Sequence, residues 1–218
     1  NVPYLEKIGK LKSKIILSTG MSNLKEVKNA ISILIKFGTK KENINILHCT
    51  SEYPAPFKDV NLNAIKFLRR KLNINIGLSD HTEGFSVAIA SVALGANIIE
   101  KHFTLNKKQK GPDHSSSLEP KEFKNMINEI KNVEISLGSE QKKITNSEVK
   151  NIRLVRKSIV AIKKIKKGDI FSENNISTKR PNKGISASKW RNVIGKKSKF
   201  NFNINDFIKL KWKKLYLV

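Results

Sequence analysis

Cysteine is nearly missing from these 218 residues: Cys49 stands alone, so no internal disulfide framework is possible. A single thiol suits a reducing, cytoplasmic setting. Long apolar runs are missing too. "KIILSTG" and "NIIEKHF" fall far short of the roughly 20 residues a membrane helix needs, and no basic-then-apolar segment opens the chain. Acidic residues number 18 against 43 basic ones, a net charge of +25, which invites a nucleic-acid partner. Arginine is scarce, however, with six of the 43, and it is the side chain best suited to bidentate phosphate and base contacts. Aromatic residues do not interleave with the lysines as a base-stacking surface requires. The densest patches are "KKIKKG" (163–168) and "LKWKKL" (210–215). The expectation is a lysine-rich surface, with neither nucleic acid nor membrane as partner. No G-x-G-x-x-G turn follows any apolar run, which weighs against a dinucleotide fold.

What the chain does have is a repeat. Four Ile-rich runs, "KIILSTG" (14–20), "NINILHCT" (43–50), "NINIGLSD" (73–80) and "ANIIEKHFT" (96–104), are each followed by a helical pattern. They are too short for helices and read as strands buried on both faces. "NLKEVKNAISILIKFG" has Asn23 and Glu26 at capping-box spacing and ends on Gly38. Asp59 is a candidate N-cap for the next helix, and "GFSVAIASVALGA" is a small-residue helix. "EPKEFKNMINEIKNVEISLG" carries Pro120 in its first turn. Strand–helix repeated four times predicts a parallel α/β architecture, either a doubly wound sheet or half of an eight-stranded barrel.

Near residue 140 the pattern changes. Residues 141–152 read as a polar linker, although Thr145 and Glu148 could box a short helix. From 153 to 218 come short β-like pieces, with "KKGDIF" and "NINDFI" read as turn-plus-strand hairpins of a small, mostly β domain.

In parallel α/β folds the ligand lies beyond the carboxyl ends of the strands. Ser18 and Thr19 end the first run; His48, Thr50 and Ser51 the second; Ser79, Asp80 and His81 the third; Glu100 and His102 the fourth. His114 follows in "GPDHSSS". A lone histidine at a strand end is usually a structural hydrogen-bonder, and His48, beside Cys49, is assigned to that class. His81 and His102, converging from adjacent strands, form a reasonable divalent-metal pair. The serine hydroxyls either shape turns or hold a phosphate. Asp113 either stabilises a Gly-Pro turn or receives a substrate hydroxyl.

These residues carry a resemblance. "LSTGMS", "LHCTSEYPAPFKDVNLNAI", "GLSDHTEGF", "IEKHFTL…GPDH" and "KRPNKGIS" resemble, in order and spacing, the sialic acid synthase family, which includes the legionaminate and pseudaminate synthases. The resemblance implies an eight-stranded TIM (β/α)8 barrel, of which residues 1–140 supply the carboxyl-terminal half (strands five to eight). A small antifreeze-like (β-clip) domain follows. It implies condensation of phosphoenolpyruvate with an open-chain N-acetylated amino sugar, N-acetylmannosamine or a 6-deoxy diacetamido relative. The products are a nine-carbon 2-keto sugar acid and phosphate. It implies manganese or magnesium held by His81 and His102, with Asp80 orienting the catalytic group. Ser18 and Ser79 would hold phosphoenolpyruvate. Tyr53, Asp113 and Ser51 would contact the sugar, Ser51 standing where some members have asparagine. Arg180 would reach into the partner subunit's site, in a domain-swapped homodimer. The family's earlier strands carry a glutamate and lysines that have no counterpart in these residues. The chain, which opens on Asn1 inside a helix-like phrase, is therefore expected to be part of a longer enzyme and inactive and poorly soluble alone. A non-catalytic carbohydrate- or metal-binding remnant is the alternative, ahead of a basic nucleic-acid-binding protein.

Overall fold

The computed structural model describes residues 1–210 in two compact units, Asn1–Ser139 and a second beginning at Glu140. The lysines of "LKWKKL" beyond residue 210 lie outside the described residues.

The first unit is a four-stranded parallel sheet in sequential order: β1 (Ile15–Ser18), β2 (Ile44–Cys49), β3 (Asn75–Asp80) and β4 (Ile99–Lys101). The register pairs Ile15 with Ile44, Ile46 with Ile76, and Leu78 with Ile99. Helix α1 (Val2–Lys10) precedes β1, and α2 (Leu24–Lys36), α3 (Asn63–Leu72) and α4 (Ser86–Ala93) connect the strands. Helix α5 (Pro120–Leu137) follows β4. One face of the sheet packs on the helices: Ile44, Ile46, Ile76 and Leu78 bury against Leu34, Ile65, Leu68 and Leu72. Each such side chain is worth about 1.5–3 kcal/mol on full burial, which makes this layer the main stabilising term of the unit.

Local chemistry sets the helix ends. Asn23 and Glu26 close a reciprocal capping box on α2, and Glu119 and Glu122 do so on α5. Asp59 does not cap α3. It ends a 3₁₀ turn over Phe57–Asp59, and the cap position falls to Leu62, which makes no side-chain capping bond. The "EYPAP" turn and the 3₁₀ turn together move the helix start beyond the reach of Asp59.

Burial on both strand faces holds only in part. Along β1 half-buried and exposed positions alternate, and Ile16 is 57% exposed. Asn75 at the start of β3 and Glu100 in β4 are exposed as well. The sheet is thus covered on its helix side and partly open on the other, as one half of a barrel wall is.

In the second unit, the stretch 141–152 runs from an irregular segment into a helix. Thr145 and Glu148 close a capping box that starts α6 (Asn146–Val155). Strands β5 (Ser158–Ala161) and β6 (Ile176–Lys179) pair antiparallel around a core of Ile159, Ile165, Phe171, Val193 and Ile208. "KKGDIF" and "NINDFI" do not form hairpins of their own. They contribute isolated bridges, Ile170 to Lys197 and Phe207 to Val160, and a third joins the residues just before them, Ile165 and Phe202. Side-chain clamps take the place of ladders there: Asp169 accepts from Lys166 N at 2.7 Å and Asp206 from Asn203 N at 2.6 Å.

Candidate metal and substrate site at the strand ends

The two-residue period of a strand sorts the polar residues by face. In β3 and β4 the register sets Ser79 beside Glu100 and Asp80 beside Lys101. Ile76, Leu78 and Ile99 belong to the helix-side core, so Asp80 and Lys101 continue that face. Ser79 and Glu100 take the opposite face, and His81 and His102 share their parity.

On the open face the groups meet. Ser79 Oγ donates to Glu100 Oε1 at 2.6 Å and lies 3.4 Å from His81 Nε2. The His81 and His102 rings stand edge to face with centroids 5.1 Å apart. Tyr53, from the loop after β2, stacks on His102 at 4.0 Å and 19° and meets His81 edge-on at 5.5 Å. Its hydroxyl is 3.3 Å from Ser117 Oγ, which donates to the Asp113 carbonyl at 2.7 Å. Asp113 Oδ2 lies 3.8 Å from His102 Nδ1.

The nitrogen chemistry fits a cation. His81 Nδ1 is 2.8 Å from the Thr50 carbonyl, which only accepts; Nδ1 therefore carries a proton, and Nε2 is the nitrogen turned to the open face. For His102, burial and then the neighbouring His81 push the pKa below the ordinary imidazole value, while Asp113 partly opposes them. Two imidazoles on one rim suit a divalent ion whose other positions go to water or substrate oxygen. Among the described residues, no group of three or more His, Cys, Asp or Glu side chains is arranged to hold a metal. The pair is therefore a partial donor set.

On the helix side Asp80 is fully engaged. Its Oδ1 accepts from Thr82 N at 2.9 Å and Thr82 Oγ1 at 2.8 Å, and its Oδ2 pairs with Lys101 Nζ at 3.0 Å, both side chains being 0% exposed. Lys101 also donates to the Thr82 carbonyl. Burial pulls the Lys101 ammonium below its ordinary range, and Asp80 pulls it back.

The remaining candidates are more dispersed. Ser18 is exposed at the end of β1, opposite Leu47 in the ladder and two strands from Ser79. Ser51 is exposed beside Gly20, where a β-carbon would fall 1.9 Å from its Oγ. Arg180 is exposed after β6 in the second unit. His48 Nε2 donates to the Val60 carbonyl at 2.6 Å, a structural bond, and His114 Nδ1 bonds Thr104 Oγ1 at 2.7 Å. Lys101 and Ser117 went unnoticed in the sequence. Strand parity puts Lys101 on the face opposite His102, but its pairing with Asp80 depends on the register of β3 and β4. Nothing local marks Ser117.

Residues 1–142 match the NeuB family and residues 156–211 the SAF domain. The chain is 52% identical over 209 residues to the N,N'-diacetyllegionaminic acid synthase of Campylobacter jejuni, covering 96% of this chain and 63% of that protein. It is 37% identical over 200 residues to the N-acetylneuraminate-9-phosphate synthase of Homo sapiens, covering 90% and 55%. A crystal structure of the N-acetylneuraminic acid synthetase from Leptospira borgpetersenii, in complex with citrate, is similar with a TM-score of 0.63 and 36% identity, covering 70% of this chain and 52% of that one. The chain thus spans less than two thirds of the length of these relatives.

Proposed function

The chain belongs to the NeuB family, and on that premise we propose that it serves a nonulosonic acid synthase that joins phosphoenolpyruvate to an N-acetylated amino sugar. The convergence of His81, His102 and Tyr53 at the ends of β3 and β4 is the observation that carries this reading. In the reaction the enol carbon of phosphoenolpyruvate bonds to the sugar aldehyde carbon, and the aldehyde oxygen takes a proton. Water adds to the cationic C2, and C–O cleavage then releases inorganic phosphate and leaves the 2-keto acid.

His81 and His102 hold a divalent ion, manganese or magnesium, which when bound supplies Lewis-acid polarisation of the aldehyde. The protein's own groups bind and orient. Ser18, and Ser79 on turning its hydroxyl away from Glu100, offer donors to the phosphoenolpyruvate. Tyr53, Ser51 and Asp113 line the sugar. Tyr53 covers one face of the His102 ring and keeps water from it. Asp80 faces the helix layer and orients the strand end without touching substrate. Arg180 is assigned to the sugar site of a partner subunit, as in a domain-swapped homodimer. The similarity to a legionaminic acid synthase favours a 6-deoxy diacetamido hexose over N-acetylmannosamine.

The test is a titration of the chain with Mn2+, repeated with His81→Ala and His102→Ala. Mn2+ binding that disappears in His81→Ala and His102→Ala is expected. Mn2+ binding that is absent, or that is unchanged in both variants, overturns the reading.

A further inference from the structure

We propose that Lys101, paired with Asp80, is a positioning residue that sets the spacing of His81 and His102 from beneath the sheet. The inference rests on the metal reading above and concerns residues on the opposite face from the imidazoles.

Each member of the pair is the residue immediately before one of the two histidines. Asp80 and Lys101 are direct partners in the ladder, and theirs is the last of the three registered pairs between β3 and β4. Beyond it the strands diverge. The His81 carbonyl accepts from Ala55 N at 2.8 Å, and the His102 carbonyl accepts from Leu118 N at 3.0 Å. Each histidine backbone is therefore tied to a different loop; Tyr53 bridges the two rings from above, and the tie between the strand ends beneath them is the Asp80–Lys101 pair. The 3.0 Å ion pair joins the two strand ends directly, and the Lys101 bond to the Thr82 carbonyl extends that tie past His81. Asp80 Oδ1 fixes the turn through Thr82, so His81 is braced on both sides in sequence.

Stability alone is a weak reason for such a pair. Charges removed from water regain their solvation only with good geometry, and apolar side chains of similar volume in their place are often as stable. What an ion pair adds over apolar contacts is direction. Four polar contacts among Asp80, Thr82 and Lys101 tie the two strand ends beneath the rings, whose centroids stand 5.1 Å apart. Groups that orient metal ligands from behind contribute about 10–100-fold to metal affinity.

The experiment uses the full chain and Co2+ and Mn2+ as probes, with the dissociation constant referred to the folded fraction measured by circular dichroism. Lys101→Met is expected to weaken Mn2+ binding at least about 10-fold and to alter the visible spectrum of bound Co2+. Lys101→Arg, which keeps a donor cation, is expected to restore both. A second variant, Asp80→Asn/Lys101→Met, leaves no lone buried charge and keeps an acceptor for Thr82; it is expected to fold and to show the same loss. A purely structural pair would lower the melting temperature and leave the affinity and spectrum of the folded fraction unchanged, and that result overturns the proposal. Equal Mn2+ binding by the chain and by His81→Ala/His102→Ala would instead overturn the metal reading itself, and this inference with it.

Discussion

Tyr53 lies flat against His102, ring centroids 4.0 Å apart and planes within 19°, while its hydroxyl reaches Ser117 Oγ in the loop that carries Asp113. One side chain thus covers a metal-binding candidate and holds a sugar-binding candidate. The two roles separate by substitution. Tyr53→Phe keeps the stack and drops the hydroxyl, so Mn2+ affinity should hold while sugar binding weakens. Tyr53→Ala loses both, the stack alone being worth about 0.5–1.5 kcal/mol. Metal titration beside sugar titration distinguishes them; equal metal affinity in both variants would refute the stacking role.

Gly77 in β3 has no room for a side chain. A β-carbon there would meet the Ile98 carbonyl oxygen at 2.4 Å and Leu47 at 2.7 Å. The oxygen belongs to the backbone of the adjoining strand segment and accepts from Leu78 N, so it cannot swing aside. Gly77→Ala is expected to destabilise the chain by about 1–3 kcal/mol, the usual range for overpacking. Gly20→Ala should cost far less, since the atom it displaces is the mobile Ser51 hydroxyl. Urea unfolding of the two variants side by side gives the comparison.

Ser158 is the fastening of the Arg180 loop. Fully buried, its hydroxyl donates to the Pro181 carbonyl at 3.1 Å and accepts from Lys183 N at 3.1 Å and Gly184 N at 3.0 Å. Ser158→Ala takes that partner from Gly184 N, at roughly 1–3 kcal/mol for a donor left unpaired, whereas Lys183 N keeps the Pro181 carbonyl at 3.0 Å. Amide hydrogen exchange should rise sharply at Gly184. Unchanged protection there would show that the loop is held by something else.

Glu122 ties the start of α5 to the preceding loop through Lys107 Nζ at 2.7 Å and the Glu119 amide at 2.9 Å. The Lys107 hydrogen bond, then the Glu119 amide, hold its carboxyl below the usual glutamate value. A depressed carboxyl pKa adds stability that is present above the unfolded value and lost as pH falls through the folded one. The unfolding midpoint of Glu122→Gln should therefore lie below that of the unaltered chain at neutral pH and converge with it in acid. A gap that persists in acid would contradict the assignment.

Much of the fold was legible in the sequence because it rests on local chemistry. The Asn23–Glu26 and Thr145–Glu148 capping boxes need only residues three apart, and both form as their spacing predicts. The four Ile-rich runs become the four strands for the same local reason. Asp59 failed as a cap because the backbone path through the turn before it is not encoded by spacing. The hairpins of the second unit failed because single bridges and Asp clamps satisfy backbone groups that pattern-reading assigns to ladders.

The sequence by itself determined the order of strands and helices and the clustering of His81 and His102 at strand ends, since both follow from the periods of the chain. Only the tertiary structure decided which neighbours those residues have. Register set Asp80 against Lys101 and Ser79 against Glu100, a loop from another strand end laid Tyr53 on His102, and the Thr50 carbonyl chose the tautomer of His81. Those contacts join residues 21 to 49 positions apart. Such pairings depend on how strands align and loops close, and no local pattern carries that information.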